Sequence, residues 1–235
     1  VTLGHADLSP FDVLILPEQG YVSYKYLLGD EGTKNLKRWV QDGGVLIGLG
    51  SAMQYLSDPD AAFVSARREN AAKMDGGKAG DNAEGDEKKP TVDGTIIEDA
   101  EDYSAVVEPG EELPDGAPGV LVRAVPDSDH WMTAGIGESV AVMVEGSDIY
   151  RPLTLDQGVN ALHFAPAGDL LLSGYLWEEN VNQMAFKPFV VVEPAGRGLV
   201  IGFTQSPTTR AYLDGLNVLL ANALFLAPAH SGRLR

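Results

Sequence analysis

Two apolar runs, FDVLILP at Phe11–Pro17 with Asp12 as its one charged residue, and VLIGL at Val45–Leu49, stand one helix length apart and constrain the fold most. A strand with one wet face alternates apolar and polar residues. A strand apolar at every position is buried on both faces, as in a parallel sheet covered by helices on either side. The segment between the runs fits that requirement. Asp30–Gln41 is expected to be a helix whose Leu36, Trp39 and Val40, at i, i+3 and i+4, form its buried face. Gly43-Gly44 would stop it, because glycine takes the left-handed cap conformation cheaply. After the second run the chain turns through Gly50 and Ser51 into a short helix holding Met53, Tyr55 and Leu56. This is the rhythm of a right-handed crossover in an α/β sheet.

Farther along, GVLVRAV from Gly119, SVAVMVE, VNALHFA and DLLLSGYLW read as short strands of an antiparallel or mixed extension. Phe189–Glu193 and Leu199–Phe203 flank PAGRG, a hairpin signal with a five-residue loop. Thr209–Phe225 is expected to be a final helix with Leu213, Leu216, Leu220 and Leu224 on its apolar stripe. Between the two halves the pattern dissolves. The stretch KMDGGKAGDNAEGDEKKP has too few apolar residues to offset the entropy of ordering it. The expected organisation is residues 1–64 as the first part of an α/β domain, 65–117 as a disordered acidic insertion with a short strand near Thr95–Ile97, 118–228 as the remainder, and 229–235 as a tail.

The charge is equally uneven. Asp58–Asp115 carries 17 acidic and 6 basic residues, most of the chain's net −17. Such a surface disfavours nucleic acid, whose phosphates need Lys and Arg, and reads either as a solvated insertion or as a site for a cation or basic partner. The absence of cysteine removes disulfides, thiolate nucleophiles and thiolate-bound metals together. No run of about 18 apolar residues suggests a membrane span.

Candidate chemistry gathers at strand ends. In open α/β sheets, ligands and nucleophiles sit where a strand turns into a helix. Here that turn reads Gly48-Leu49-Gly50-Ser51, with Ser51 as its hydroxyl, either a helix N-cap or a nucleophile. Glu18, directly after the first strand, would point into the same crevice as an acid or base. None of the four histidines has a short zinc spacing. His163 fits a half-buried strand position. His130, beside Trp131 in the polar loop DSDHWMTAG, reads as a loop anchor or a ligand contact. Trp177 and Glu178 could line a cleft for a sugar or peptide, or Trp177 could cover the core edge. Arg210 reads as a salt-bridge anchor. The candidate ligand crevice is therefore Glu18, Gly48, Gly50, Ser51, His130, Trp131, Trp177 and Glu178. No catalytic or metal residue is assigned; the alternatives are a stand-alone module that binds a sugar or peptide ligand and a hydrolase using Ser51, Glu18 and His130.

FDVLILPEQGY followed by WVQDGGVLIGLGSA resembles the class I glutamine amidotransferase-like superfamily, which includes DJ-1-like proteins. That resemblance implies a flavodoxin-like three-layer sandwich in which the segment matching Gly48-Leu49-Gly50 reads Cys-x-Gly, with the cysteine as nucleophile. Gly48 stands in its place here. PGVLVRAVPDSDHWMTAG, LLLSGYLWEENV and GRGLVIGFTQSPTTRAYLDGLNVLLANALF resemble the C-terminal domain attached to some bacterial M14-family zinc carboxypeptidases. The resemblance implies a non-catalytic accessory domain whose partner is an upstream peptidase domain. Zinc would be held there and no cofactor in this chain, and the setting would be extracellular or periplasmic. The superfamily begins with a strand and helix before the segment matching Val1–Leu3. With Val1 as first residue, the expectation is a piece of a longer protein whose upstream residues, or another chain, complete the sheet.

Overall fold

The computed structural model describes residues 5–19, 24–72, 113–127, 129–209 and 213–232. Chain order is β1 (Val13–Leu16), α1 (Tyr24–Gln41), β2 (Val45–Leu49), α2 (Ala52–Ser57), β3 (Ala117–Pro126), a 3-10 turn (Trp131–Thr133), β4 (Val140–Gly146), β5 (Val159–Phe164), α3 (Ala167–Leu170), β6 (Leu171–Ser173), α4 (Glu178–Met184), β7 (Pro188–Ala195), β8 (Gly198–Phe203), α5 (Asp214–Phe225) and α6 (Ala227–His230). Among the described residues these strands form one mixed sheet in the order β1-β2-β8-β7-β5-β3-β4, with β6 also on β3. β1, β2 and β8 are parallel, and every other pairing is antiparallel.

Only the second apolar run is buried as its composition requires: β1 stands at the end of the strand order, with Val13 and Leu14 half-buried, Ile15 39% exposed and Leu16 alone buried. All five residues of β2 are buried, and successive side chains point to opposite faces. Val45, Ile47 and Leu49 join a core that includes Leu216, Leu219 and Ala223 of α5. Leu46 enters a second core with Leu36, Trp39 and Val40 of α1 and Met53 and Leu56 of α2. Helices therefore cover both faces, and each such aliphatic side chain contributes about 1.5–3 kcal/mol by leaving water.

Helix α1 is broken at Gly29, whose φ of 59° is not helical, so its main body begins at Asp30 as its periodicity indicates. The β7–β8 connection is tighter than the five-residue loop expected from PAGRG. The strands pair through Ala195 and Gly198, leaving Gly196 (φ +64°) and Arg197 to turn. Helix α5 begins at Asp214 with Leu213 as its N-cap, later than the Thr209 expected; Leu216 is buried as expected, but Leu219 and Ala223 join it, while Leu213, Leu220 and Leu224 pack only partly. The segment DLLLSGYLW supplies only the three-residue β6.

Two boundaries move. Residues 65–72 are not part of a structureless insertion. The Ser65 N–H and hydroxyl bond both Glu193 carboxylate oxygens (2.7 and 2.8 Å), and Ala66 is buried. The Arg67 guanidinium donates to the carbonyls of Ser57, Val64 and Ala66. At the far side Ala117 already begins β3. The expected tail is not structureless where it is described: Ala227–His230 is helical, and the Gly232 N–H bonds the Arg197 carbonyl. The expected strand near Thr95–Ile97, and Arg210, lie outside the described residues.

Candidate functional site

The turn leaving β2 is where this scaffold could present a reactive group. β2 continues through Leu49, so the elbow falls at Gly50, with φ +54°, and not at Gly48. Gly48 is a strand residue, and a Cβ there would collide with Leu56 of α2. It cannot line a crevice, which corrects the expectation that placed it there. At Gly50 a Cβ would lie 2.7 Å from Glu18 Oε1 and 2.9 Å from its carboxyl carbon. The Glu18 carboxylate thus occupies the space that an elbow side chain would enter.

Ser51 is committed to holding this arrangement. Its hydroxyl donates to the Gln19 carbonyl (3.0 Å) and accepts the Gln19 N–H (3.1 Å). It sits at the N-cap position of α2 but makes no side-chain capping bond. Glu18, Gly50 and Ser51 are therefore brought together, as the sequence suggested, through a clasp between the loops after β1 and β2. The carboxylate is solvent-exposed.

The other candidates lie elsewhere. His130 and Trp131 follow β3, which is separated from β2 by β8, β7 and β5. Four strand spacings amount to about 19 Å, so Ser51 and His130 do not form a nucleophile–base pair. His130 is a loop anchor. Its Nδ1 accepts the Met132 N–H at 3.2 Å and caps the 3-10 turn. Burial holds its imidazole below the ordinary range; Asp127 opposes that shift and His230 adds to it. Trp131 stacks on His230 with centroids 4.5 Å apart and planes at 10°, docking the end of α6 onto the loop. Asn222 of α5 donates to the carbonyls of Met132 and Ala134 from the same side. His163 is half-buried in β5, as its alternation indicates.

Trp177 and Glu178 belong to a third region, at the start of α4. Trp177 is 46% exposed and meets Tyr175, 59% exposed, edge to face at 5.0 Å. Sequence reasoning missed the buried polar face beneath them. Asn180 donates to the Asp115 carbonyl (2.6 Å). Gln183 accepts the Ala72 N–H (2.8 Å) and donates to the Asn70 carbonyl (2.7 Å), and Lys187 pairs with Glu69 (2.6 Å). Asn180 and Gln183 stand three apart, so one helical face bonds the backbone of Asn70, Ala72 and Asp115. The i, i+3 spacing was visible in the sequence; the partners were not. No group of three or more His, Asp or Glu that could hold a metal occurs among the described residues. No described helix is long and apolar enough to cross a membrane.

No protein-family model matches the chain, and no curated protein matches it. Among solved structures it is similar to a ThuA-like protein from Parabacteroides merdae ATCC 43184, at 13% identity over 98% of this chain and 75% of that one, with a TM-score of 0.54. It is also similar to a cytoplasmic protein from Salmonella typhimurium, at 12% identity over 96% of this chain and 77% of that one, with a TM-score of 0.51. Likeness at these identities shows the fold alone, a mixed α/β sheet with helices. These likenesses do not involve a zinc carboxypeptidase.

Proposed function

We propose that this chain is a non-catalytic accessory domain on an amidotransferase-like scaffold of the flavodoxin-like three-layer type. The observation that carries the reading is the elbow. The residue at the turn is Gly50, and the Glu18 carboxylate fills the position a nucleophilic side chain would take. An elbow nucleophile needs a side chain there and a base within about 2.6–3.2 Å. Here the nearest hydroxyl, Ser51, is engaged twice by the Gln19 backbone, and the candidate base His130 lies across the sheet.

The parent activity that best suits such a domain is that of a secreted zinc carboxypeptidase of the M14 type, in which it would position the peptidase domain or its substrate. That attachment rests on the resemblance of the second-half motifs. Zinc and peptide hydrolysis would belong to the upstream domain. Reading the gene upstream of Val1 tests it. The expected frame continues into a domain containing His-x-x-Glu and a distal His, whereas a start codon immediately before Val1 would end the proposal.

A further inference from the structure

The aromatic pair at the start of α4 has no part in the clasp at Gly50 and is built as a presented surface. Along Tyr175-Leu176-Trp177 the side chains alternate. Leu176 is buried at 6% exposure, while Tyr175 and Trp177 on either side stand out at 59% and 46%. The backbone is fixed at both ends. Gly174 has φ +100° and lies against Val120, where a Cβ would approach within 3.1 Å. Three residues beyond Trp177, the buried Asn180 side chain ties α4 to Asp115. Two large rings held at 5.0 Å on a rigid base therefore face solvent by construction.

We infer that Tyr175 and Trp177 form a binding platform for neutral pyranose oligosaccharides. The apolar C–H face of a pyranose is complementary to the electron-rich face of an aromatic ring, which carries the negative lobe of its quadrupole. Glu178 and Glu179 are exposed in the next turn and are not ion-paired among the described residues. They supply acceptors for sugar hydroxyls, and hydrogen bonds to ionised carboxylates are the stronger kind. The same carboxylates, on a chain of net charge −17, repel phosphates, uronates and other anions. The two exposed rings stand edge to face with centroids 5.0 Å apart, a footprint suited to one or two sugar units. A stable protein interface instead needs roughly 1,000 Å² or more. The platform is remote from Gly50 and does not depend on the accessory-domain reading, so either can fail alone.

The test is titration of the intact chain with cellohexaose and N-acetylchitohexaose, followed by tryptophan fluorescence and calorimetry, with oligogalacturonate as the anionic control. Saturable binding of at least one neutral hexasaccharide is expected, with none of the anion. Trp177→Ala and Tyr175→Ala should each weaken that binding at least about tenfold, while Trp177→Phe, which keeps a ring face, should retain most of it. Thermal melts of all three variants separate loss of the platform from loss of fold. No saturable signal with either neutral sugar up to about 10 mM, or affinity unchanged in folded Trp177→Ala and Tyr175→Ala, would overturn the inference.

Discussion

At the scale of single residues, Gly50 decides what the crevice can do. An Ala there would hold a φ of +54°, which L-residues adopt at a cost of about 1–2 kcal/mol, and its methyl would press on the Glu18 carboxylate. Gly50→Ala should therefore destabilise by roughly 2 kcal/mol or more. Part of that loss should return in a Glu18→Ala background, because the carboxylate end is removable while the backbone strain is not. Denaturant melts of the four-member cycle measure the coupling; strict additivity would place Glu18 elsewhere. His130 gives a pH dependence. Its folded pKa lies below the unfolded value near 6.5, through burial first. The unfolded chain then binds the proton more readily, so the contribution is complete above about pH 6.5 and is lost as pH falls through the folded pKa. Asn at position 130 can still cap the 3-10 turn without titrating. The melting temperature of His130→Asn should accordingly fall less between pH 7.5 and 5.5 than that of the native chain. Parallel curves would contradict the assignment.

At the scale of elements, α4 works as a clamp. Removing a buried amide that serves backbone groups leaves them unsatisfied, which costs about 1–3 kcal/mol. Gln183→Ala should therefore release protection at residues 69–72 in amide exchange, while Asn180→Ala should release residues 113–116. Protection unchanged in both would deny the clamp. The close approach of β8 to the end of α1 is a second element-level constraint. A Cβ at Gly198 would fall inside contact distance of the Val40 and Gly44 carbonyl oxygens. Backbone atoms cannot step aside as a flexible side chain can, so Gly198→Ala should cost at least about 1–3 kcal/mol in a chemical melt. Legibility followed the range of the interactions. β1 and β2 as strands, and the buried Leu36, Trp39 and Val40 of α1, were readable, because an apolar run and an i, i+3, i+4 stripe are local patterns; that Ile15 of β1 stays exposed was not, because it depends on which strands flank β1. α5 was read with the wrong centre, since apolar residues surround much of it and leave no clean stripe. The order of residues 65–72 was missed because it depends on Glu193, Gln183 and Lys187, more than 100 positions away. Gly48 was placed in the crevice because the residue names do not reveal which of the two glycines stays in the strand and which carries the positive φ.

At the scale of the whole molecule, one sheet separates two cores that share its strands. Leu46 belongs to one core and Ile47 to the other, and both are fully buried. Leu46→Ala and Ile47→Ala should each remove about 2–5 kcal/mol, and each should leave a single unfolding transition; two resolved transitions would mean that the cores unfold separately. The same arrangement keeps the candidate residues apart, since Ser51 and His130 follow strands that lie four spacings apart in the sheet order. The central claim is that this scaffold carries no working nucleophile at its elbow. Hydrolysis of p-nitrophenyl acetate and γ-glutamyl-p-nitroanilide by the native chain and by Ser51→Ala tests it most directly. The account expects both proteins to match each other at the buffer rate. Turnover by the native chain that falls about 100-fold or more in a folded Ser51→Ala variant would contradict it and make the crevice at Glu18, Gly50 and Ser51 an active site.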